Sequence, residues 1–337
     1  MNLQKTILLF LLLACKLSLA QTPVITLLDS GRNVSIRGLS VVDEQTIWCS
    51  GSKGSVARST DGGQHFSWLT VPGYEQRDFR DIHAFDAHTA LIMGIGEPAI
   101  ILRTKDGGQS WQKVFEDSTK GMFLDAMDFD RKGKGVVIGD PVGGYLFRAD
   151  SKDFGDTWVK AGEQVALGKG EAFFASSGTN IQATGKRKHP YIFASGGLLS
   201  KLYYKGKVYS LPLLQGKEST GANSIAVRKR KAVVVGGDYL RDRDTNGNCI
   251  LVNLRRKPVF ADPQQAPKGY RSCVLYLDKK VLLSCGINGV DISDDQGLNW
   301  HSVSKLSFHV VQKAAKGKAV FLAGPGGKIA RLQLPDL

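Results

Sequence analysis

The chain has 337 residues, with 45 Lys and Arg against 31 Asp and Glu, for a formal net charge of +14. Beyond residue 20 no run approaches the roughly 18 apolar residues that a membrane helix needs, which excludes a transmembrane segment from the mature chain. There is no Cys-x-x-Cys, no Gly-x-Gly-x-x-Gly between a strand and a helix, and no flavin or metal motif, so nothing supports a zinc centre or an oxidoreductase.

Residues 1–20 read as an export signal: Lys5 gives a positive start, residues 7–14 an apolar stretch, and Ser18-Leu19-Ala20 a small-x-small cleavage site. Cleavage leaves 21–337 as one domain, periplasmic or secreted, with a net charge of +12 once Lys5 and Lys16 are gone. Leu12-Leu13-Ala14-Cys15 also resembles a lipoprotein box, which offers Cys15 as a lipidated N-terminus instead.

The first predicted strand, 24–28, has no partner near it in sequence. After it, a run of β-branched and aromatic residues ending in glycine recurs at 46–51, 91–94, 135–139, 191–196, 232–236, 281–286 and 319–324. Such runs fit strands buried on both faces, and the closing glycine suits a turn where a side chain would clash. Between them the pattern Ser/Thr-x-Asp-x-Gly-x-x-aromatic begins at Ser59, Thr104, Ser151 and Ser293, spaced 45, 47 and 142 residues apart, the last gap being close to three periods. Seven units of ~45 residues predict an all-β, seven-bladed propeller of four-stranded antiparallel blades, with 24–28 completing the short last blade and closing the ring. The fourth and fifth units lack the repeated turn; the fourth has a plain hairpin around Lys205-Gly206, and the fifth an insertion at 238–248.

In the repeated turn, Asp61, Asp106, Asp153 and Asp295 are placed to accept hydrogen bonds from their own backbone, with Trp111, Trp158 and Trp300 wedged between sheets. These are structural staples. The positions opening the innermost strands, by contrast, ring one end of the channel: Arg37, Arg80, Asp125, Glu171, Asn223, Arg271 and His309, joined by Asp140, Asp238 and Tyr239. They suit either a solvated rim of arginine–carboxylate pairs or a site for an anionic or sugar-like ligand, in which Arg37, Arg80 and Arg271 present planar forks to a carboxylate. Asp242, Asp244 and Asn246 match the first half of a calcium loop, but Asn253 stands where a bidentate glutamate belongs, and a polar hairpin tip is the favoured reading. The basic clusters 186–188, 228–231 and 255–257 read as solvated faces with incidental attraction to anionic surfaces or glycans, and no nucleic-acid partner is expected. Cys273 and Cys285 flank a three-residue turn and fit a disulfide or two buried thiols equally.

The repeated turn is the Asp-box, or bacterial neuraminidase repeat. Together with Ile36-Arg37-Gly38-Leu39, Asp78-Phe79-Arg80-Asp81, Gly139-Asp140-Pro141-Val142 and Gly236-Gly237-Asp238-Tyr239, it makes the mature chain resemble the photosystem II stability/assembly factor-like family, particularly its exported bacterial members. That resemblance implies a non-enzymatic, monomeric module that needs no cofactor and binds a protein partner, or an anionic or glycan ligand, at the channel face. The alternative is a sialidase-like hydrolase or lyase acting on an acidic glycan. It would draw on Glu171, Asp125, Asp81 and Tyr270, or on Tyr239 in place of Tyr270. Sialidases, however, carry Phe/Tyr-Arg-Ile-Pro where this chain has Ile36-Arg37-Gly38-Leu39.

Overall fold

A computed structural model describes residues 23–334, so the predicted signal and Cys15 lie outside the described residues. No helix occurs among them. Five sheets each have four antiparallel strands; the first pairs Ile36–Val41, Ile47–Gly51, Ser55–Ser59 and Ser67–Thr70 in chain order. The sixth has nine strands, but its halves, residues 171–210 and 220–261, are joined in the ladder only where Gly196 faces Gly221. Val24–Asp29 adds to the C-terminal sheet, Val24 lying opposite Gln333 and Leu27 opposite Ala330. Each unit's first strand touches the first strand of the next, and Val310–Lys313 touches Ile36–Val41.

Burial falls from the inner strands outward, as the apolar runs dictate. Ile47–Gly51, Ala90–Gly94 and Leu282–Gly286 are buried throughout, whereas Val159–Lys160 is exposed. One apolar cluster joins Ile36 and Ile47 of the first sheet to Phe308, Val310 and Phe321 of the last. The glycine that ends each buried strand serves close approach rather than unusual dihedrals: a Cβ on Gly51, Gly139 or Gly286 would lie 2.6, 2.3 or 2.2 Å from the carbonyl oxygen of Ser35, Phe123 or Tyr270.

The inner strands are sheet edges facing the channel, so their outward N–H groups need acceptors. Side chains of the preceding unit supply them. Ser40 Oγ accepts from Ala84 N at 3.0 Å, Asp81 Oδ2 from Met127 N at 2.7 Å, and Asp128 Oδ2 from Ala183 N at 2.6 Å. Gln182 Oε1 accepts from Val227 N at 2.7 Å and Ser224 Oγ from Val274 N at 3.0 Å.

The Asp-boxes behave as staples. Asp106 Oδ1 accepts from Thr104 Oγ1 at 2.8 Å and from Ser110 N at 2.9 Å, while Gly108 N donates to Thr104 Oγ1 at 2.9 Å. The arrangement repeats at Asp61, Asp153 and Asp295. Gly63, Gly108, Gly155 and Gly297 hold φ of +87°, +92°, +78° and +91°, which a side chain would strain. Trp300 is fully buried and its Nε1 donates to Gly297 O at 2.9 Å. Cys49, Cys249, Cys273 and Cys285 are buried free thiols, with Cys273 directly opposite Cys285.

Replacing Trp300 with alanine removes the large apolar wedge at a site that cannot collapse, and is expected to cost about 3–5 kcal/mol in urea unfolding. The same change at Trp111, which is only partly buried, should cost less.

Candidate functional site

Four inner strands open on a β-bulge, and the bulged residue is polar each time. The pairing register slips between Ile36 and Gly38, Phe79 and Asp81, Leu124 and Ala126, and Ala222 and Ser224, leaving Arg37, Arg80, Asp125 and Asn223 unpaired in their ladders. Bulges re-aim side chains at sheet rims. Here they help shape a cavity of about 470 Å³ at one channel mouth, lined by Arg37, Arg80, Asp140, Asn223, Tyr239 and His309 among others.

The expectation that Glu171 and Arg271 belong to this rim is corrected. Glu171 pairs with Gly197 as Ile36 pairs with Gly51. The Tyr270 carbonyl approaches Gly286 as the Ser35 carbonyl approaches Gly51. Glu171 and Arg271 therefore occupy the core-facing place held elsewhere by Ile36, Phe79, Leu124 and Phe308, one residue off the rim, and with a period of two that puts them on the other face. Both are buried and satisfied. Glu171 accepts from Ser195 Oγ and Tyr203 OH at 2.5 Å, Lys201 Nζ at 2.7 Å and Gly168 N at 2.8 Å. Arg271 Nε donates to Asp291 Oδ2 at 2.7 Å, and its other nitrogens reach Tyr270 O, Lys268 O and Asn288 Oδ1.

Asp125 is enclosed beneath the mouth. Burial and the neighbouring Asp140 push its carboxyl well above the usual range, and the Ala175 and Asp140 N–H groups approach without reaching hydrogen-bond geometry. Asp238 is buried and held by Arg241 Nε at 3.0 Å and Leu240 N at 3.0 Å. Asp81 faces a separate cavity of about 350 Å³ further along the channel, beside Asp128. The hydrolase candidates thus never converge: Tyr270 lines the mouth, Asp81 the far cavity, Asp125 neither, and Glu171 lies between strands. The 242–246 loop is drawn together by its own chain. The Asp242 carbonyl accepts from Tyr270 N at 2.7 Å, Asp244 Oδ1 accepts from Asn246 N at 3.0 Å, and Arg241 lies 3.5 Å from Asp244 Oδ2. Among the described residues no cluster of three His, Cys, Asp or Glu is placed to hold a metal ion.

Within the mouth, Arg80 is paired with Asp78 at 2.8 Å, whereas Arg37 contacts only the Ser176 carbonyl, at 3.3 Å, among the described residues. Asn223 Oδ1 accepts from Ser176 Oγ at 3.0 Å and Tyr270 OH at 2.8 Å. Burial pushes the Tyr270 hydroxyl up to about 12. Burial, with Arg37 and Arg80 nearby, lowers His309 to about 3, so its ring is neutral at pH 7, with Nε2 3.2 Å from Ser35 Oγ. Burial also raises Asp140, whose carboxylate accepts from Phe173 N at 2.9 Å. A wall of Phe174, Tyr239 and Tyr270 stands beside these groups, with rings edge-on at 6.1 and 6.3 Å. The mouth is cationic on one side and aromatic on the other, which suits a carboxylate carried on an apolar body. Sequence reasoning missed Phe123, Phe173, Phe174 and Ser176. The last three belong to a segment that interrupts the fourth inner strand between Glu171–Ala172 and Ile181–Ala183, for which the run Phe173-Phe174-Ala175-Ser176-Ser177-Gly178 was the available signal.

Residues 27–121 match the model of the family described as photosynthesis system II assembly factor YCF48. No curated protein matches. Among solved structures, YCF48 bound to a D1 peptide is 17% identical, with a TM-score of 0.63 over 94% of this chain and 98% of that one. YCF48 from Cyanidioschyzon merolae is 14% identical, TM-score 0.63, over 92% and 98%. The Neurospora crassa Pan2 WD40 domain is 11% identical, TM-score 0.58, over 90% of each. The fold is a β-propeller, and the chain resembles the photosystem II assembly factor-like family of Asp-box propellers.

Two outcomes follow from the buried ionisable groups. Above pH 6.5, the ordinary histidine value, His309 is neutral folded or unfolded. Below it, the unfolded chain takes up a proton that the folded chain refuses down to about pH 3, so the stability His309 confers is lost on acidification. His83, lowered to about 4, acts in the same sense, while Asp128, raised to about 6, acts in the opposite one. His309→Gln should therefore lose less Tm between pH 7 and pH 4.5 than the parent in calorimetry. Arg271→Ala, which strands Asp291 in the interior, should cost about 3–5 kcal/mol in urea unfolding.

Proposed function

We propose that the chain is an exported, monomeric propeller that binds a partner protein by taking an extended segment of it into the Arg37 mouth, without catalysis or cofactor. The ring in this reading has seven four-stranded blades, supported by first strands that touch in succession and return to the start. The observation that carries the binding site is Arg37 itself: a half-buried guanidinium at a cavity, facing aromatic rings, with a single carbonyl contact where Arg80 and Arg271 have carboxylate partners. The YCF48 neighbour bound to a D1 peptide supports the idea that a propeller of this shape accommodates a peptide.

A panel of peptides with hydrophobic C-termini, each made as free acid and as amide, tests the reading by fluorescence polarisation. Free acids should bind more tightly, and Arg37→Ala should weaken them by roughly tenfold or more, the worth of one hydrogen bond to a charged group. Equal binding of acids and amides, or no effect of Arg37→Ala, would overturn it. Turnover of a sialoside would transfer the site to the hydrolase reading.

A further inference from the structure

The opposite end of the propeller carries a surface that the mouth does not use. Inner strands run away from the mouth, so the turns after them, and the turns joining third to fourth strands, share the far face. In the fourth and fifth units these turns hold 186–188, Lys205 and Lys207, 228–231 and 255–257, every Lys and Arg of which is exposed except the half-buried Arg228. None of these cations is ion-paired with a carboxylate among the described residues, and the turns themselves contain no acid. Three of these turns are contiguous: Lys205, Arg230, Arg255 and Arg256 line one depression of about 730 Å³, and Arg228 and Arg230 share the next, of about 420 Å³, with Lys279. Leu254 N donates to Arg230 O at 2.7 Å, which ties the two basic turns together.

The N-terminal strand starts at the same face. Val24 pairs with Gln333, the last residue of a strand that runs toward the turn at 314–319, so the first described strand begins on the far side. A broad, shallow cationic face whose turns contain no acid fits a flat anionic partner. We infer that this face docks the propeller on a bilayer rich in anionic lipid headgroups. Clustered Lys and Arg act additively in such docking and are screened beyond about 10 Å at 0.1 M salt.

The test is vesicle co-sedimentation of the protein purified after export, using phosphatidylcholine vesicles with and without one third phosphatidylglycerol. Binding is expected to require phosphatidylglycerol and to be lost in 0.5 M NaCl. Arg230→Gln/Arg255→Gln/Arg256→Gln should weaken it on the order of 100-fold with an unchanged thermal melt. Lys120→Gln/Lys169→Gln/Lys217→Gln, three exposed lysines near the mouth, loses the same net charge and should bind like the parent. Equal binding to both vesicle types, or equal loss in both triple variants, would overturn the assignment. Retention on heparin without any preference for phosphatidylglycerol would overturn it as well. Arg37→Ala should leave vesicle binding intact, so this inference and the peptide site fail separately.

Discussion

An inner strand at the centre of this molecule has no strand to pair with on its channel side, and that constraint shapes everything near the axis. Buried backbone N–H groups left open cost as much as a lost hydrogen bond, so each unit must present an acceptor to the next. Ser40, Asp81, Asp128, Gln182 and Ser224 do so in the first five units. The requirement explains why a channel can be lined with polar residues that serve no ligand. It also explains why Asp81 and Asp128 tolerate burial that raises both: each carboxyl accepts one backbone N–H from the adjoining strand, that of Met127 or Ala183, and one from the residue that follows it.

Two units break the apolar layer beneath the mouth, and the breaks have consequences there. Where other units bury Ile36 or Phe79, the fourth buries Glu171 and the sixth Arg271. Buried ion pairs contribute little net stability over well-packed apolar groups, because desolvation offsets their attraction, but they fix geometry. Arg271 draws Asp291, Asn288 and the carbonyls of Lys268 and Tyr270 to one point, and Asn288 Nδ2 also donates to the Asp242 carbonyl. That holds Tyr270 so that its hydroxyl reaches Asn223, which in turn receives Ser176. The aromatic wall of the mouth is thus set from behind by a charge that never faces it.

The blade period was legible because the Asp-box marks its own turn: Asp61, Asp106, Asp153 and Asp295 each need a fixed spacing to reach the backbone four residues on. The N-terminal strand was legible because 24–28 had no local partner. The rim was read less well, since a strand's side chains alternate faces and a bulge adds one residue: a slip of one at Glu171 and Arg271 exchanges rim for core. Arg37, Arg80 and Asn223 escaped that error, each sitting at its bulge, whereas Glu171 takes the paired place opposite Gly197 that Ile36 holds opposite Gly51, and Arg271 follows the carbonyl that packs on Gly286. The segment around Phe174 was invisible for a different reason. It belongs to no repeat, and only the folded chain shows that the fourth inner strand is split to admit it.

The electrostatics of the mouth narrow its chemistry to one group. Arg80 is paired with Asp78 and lies over Phe123, His309 is held neutral, and Asp140, raised by burial, accepts from Phe173 N, so Arg37 is left without a carboxylate partner. Burial and Arg80 lower Arg37 itself, but a guanidinium remains cationic across any physiological pH. An incoming carboxylate would both pair with Arg37 and relieve its repulsion with Arg80. From Asn223 at the mouth to Arg228 at the far turns, the same strand spans about 17 Å at 3.3 Å per residue, beyond the screening length in physiological salt. The two cationic regions therefore act independently, and a propeller resting on its far face presents the Arg37 mouth away from the surface that holds it.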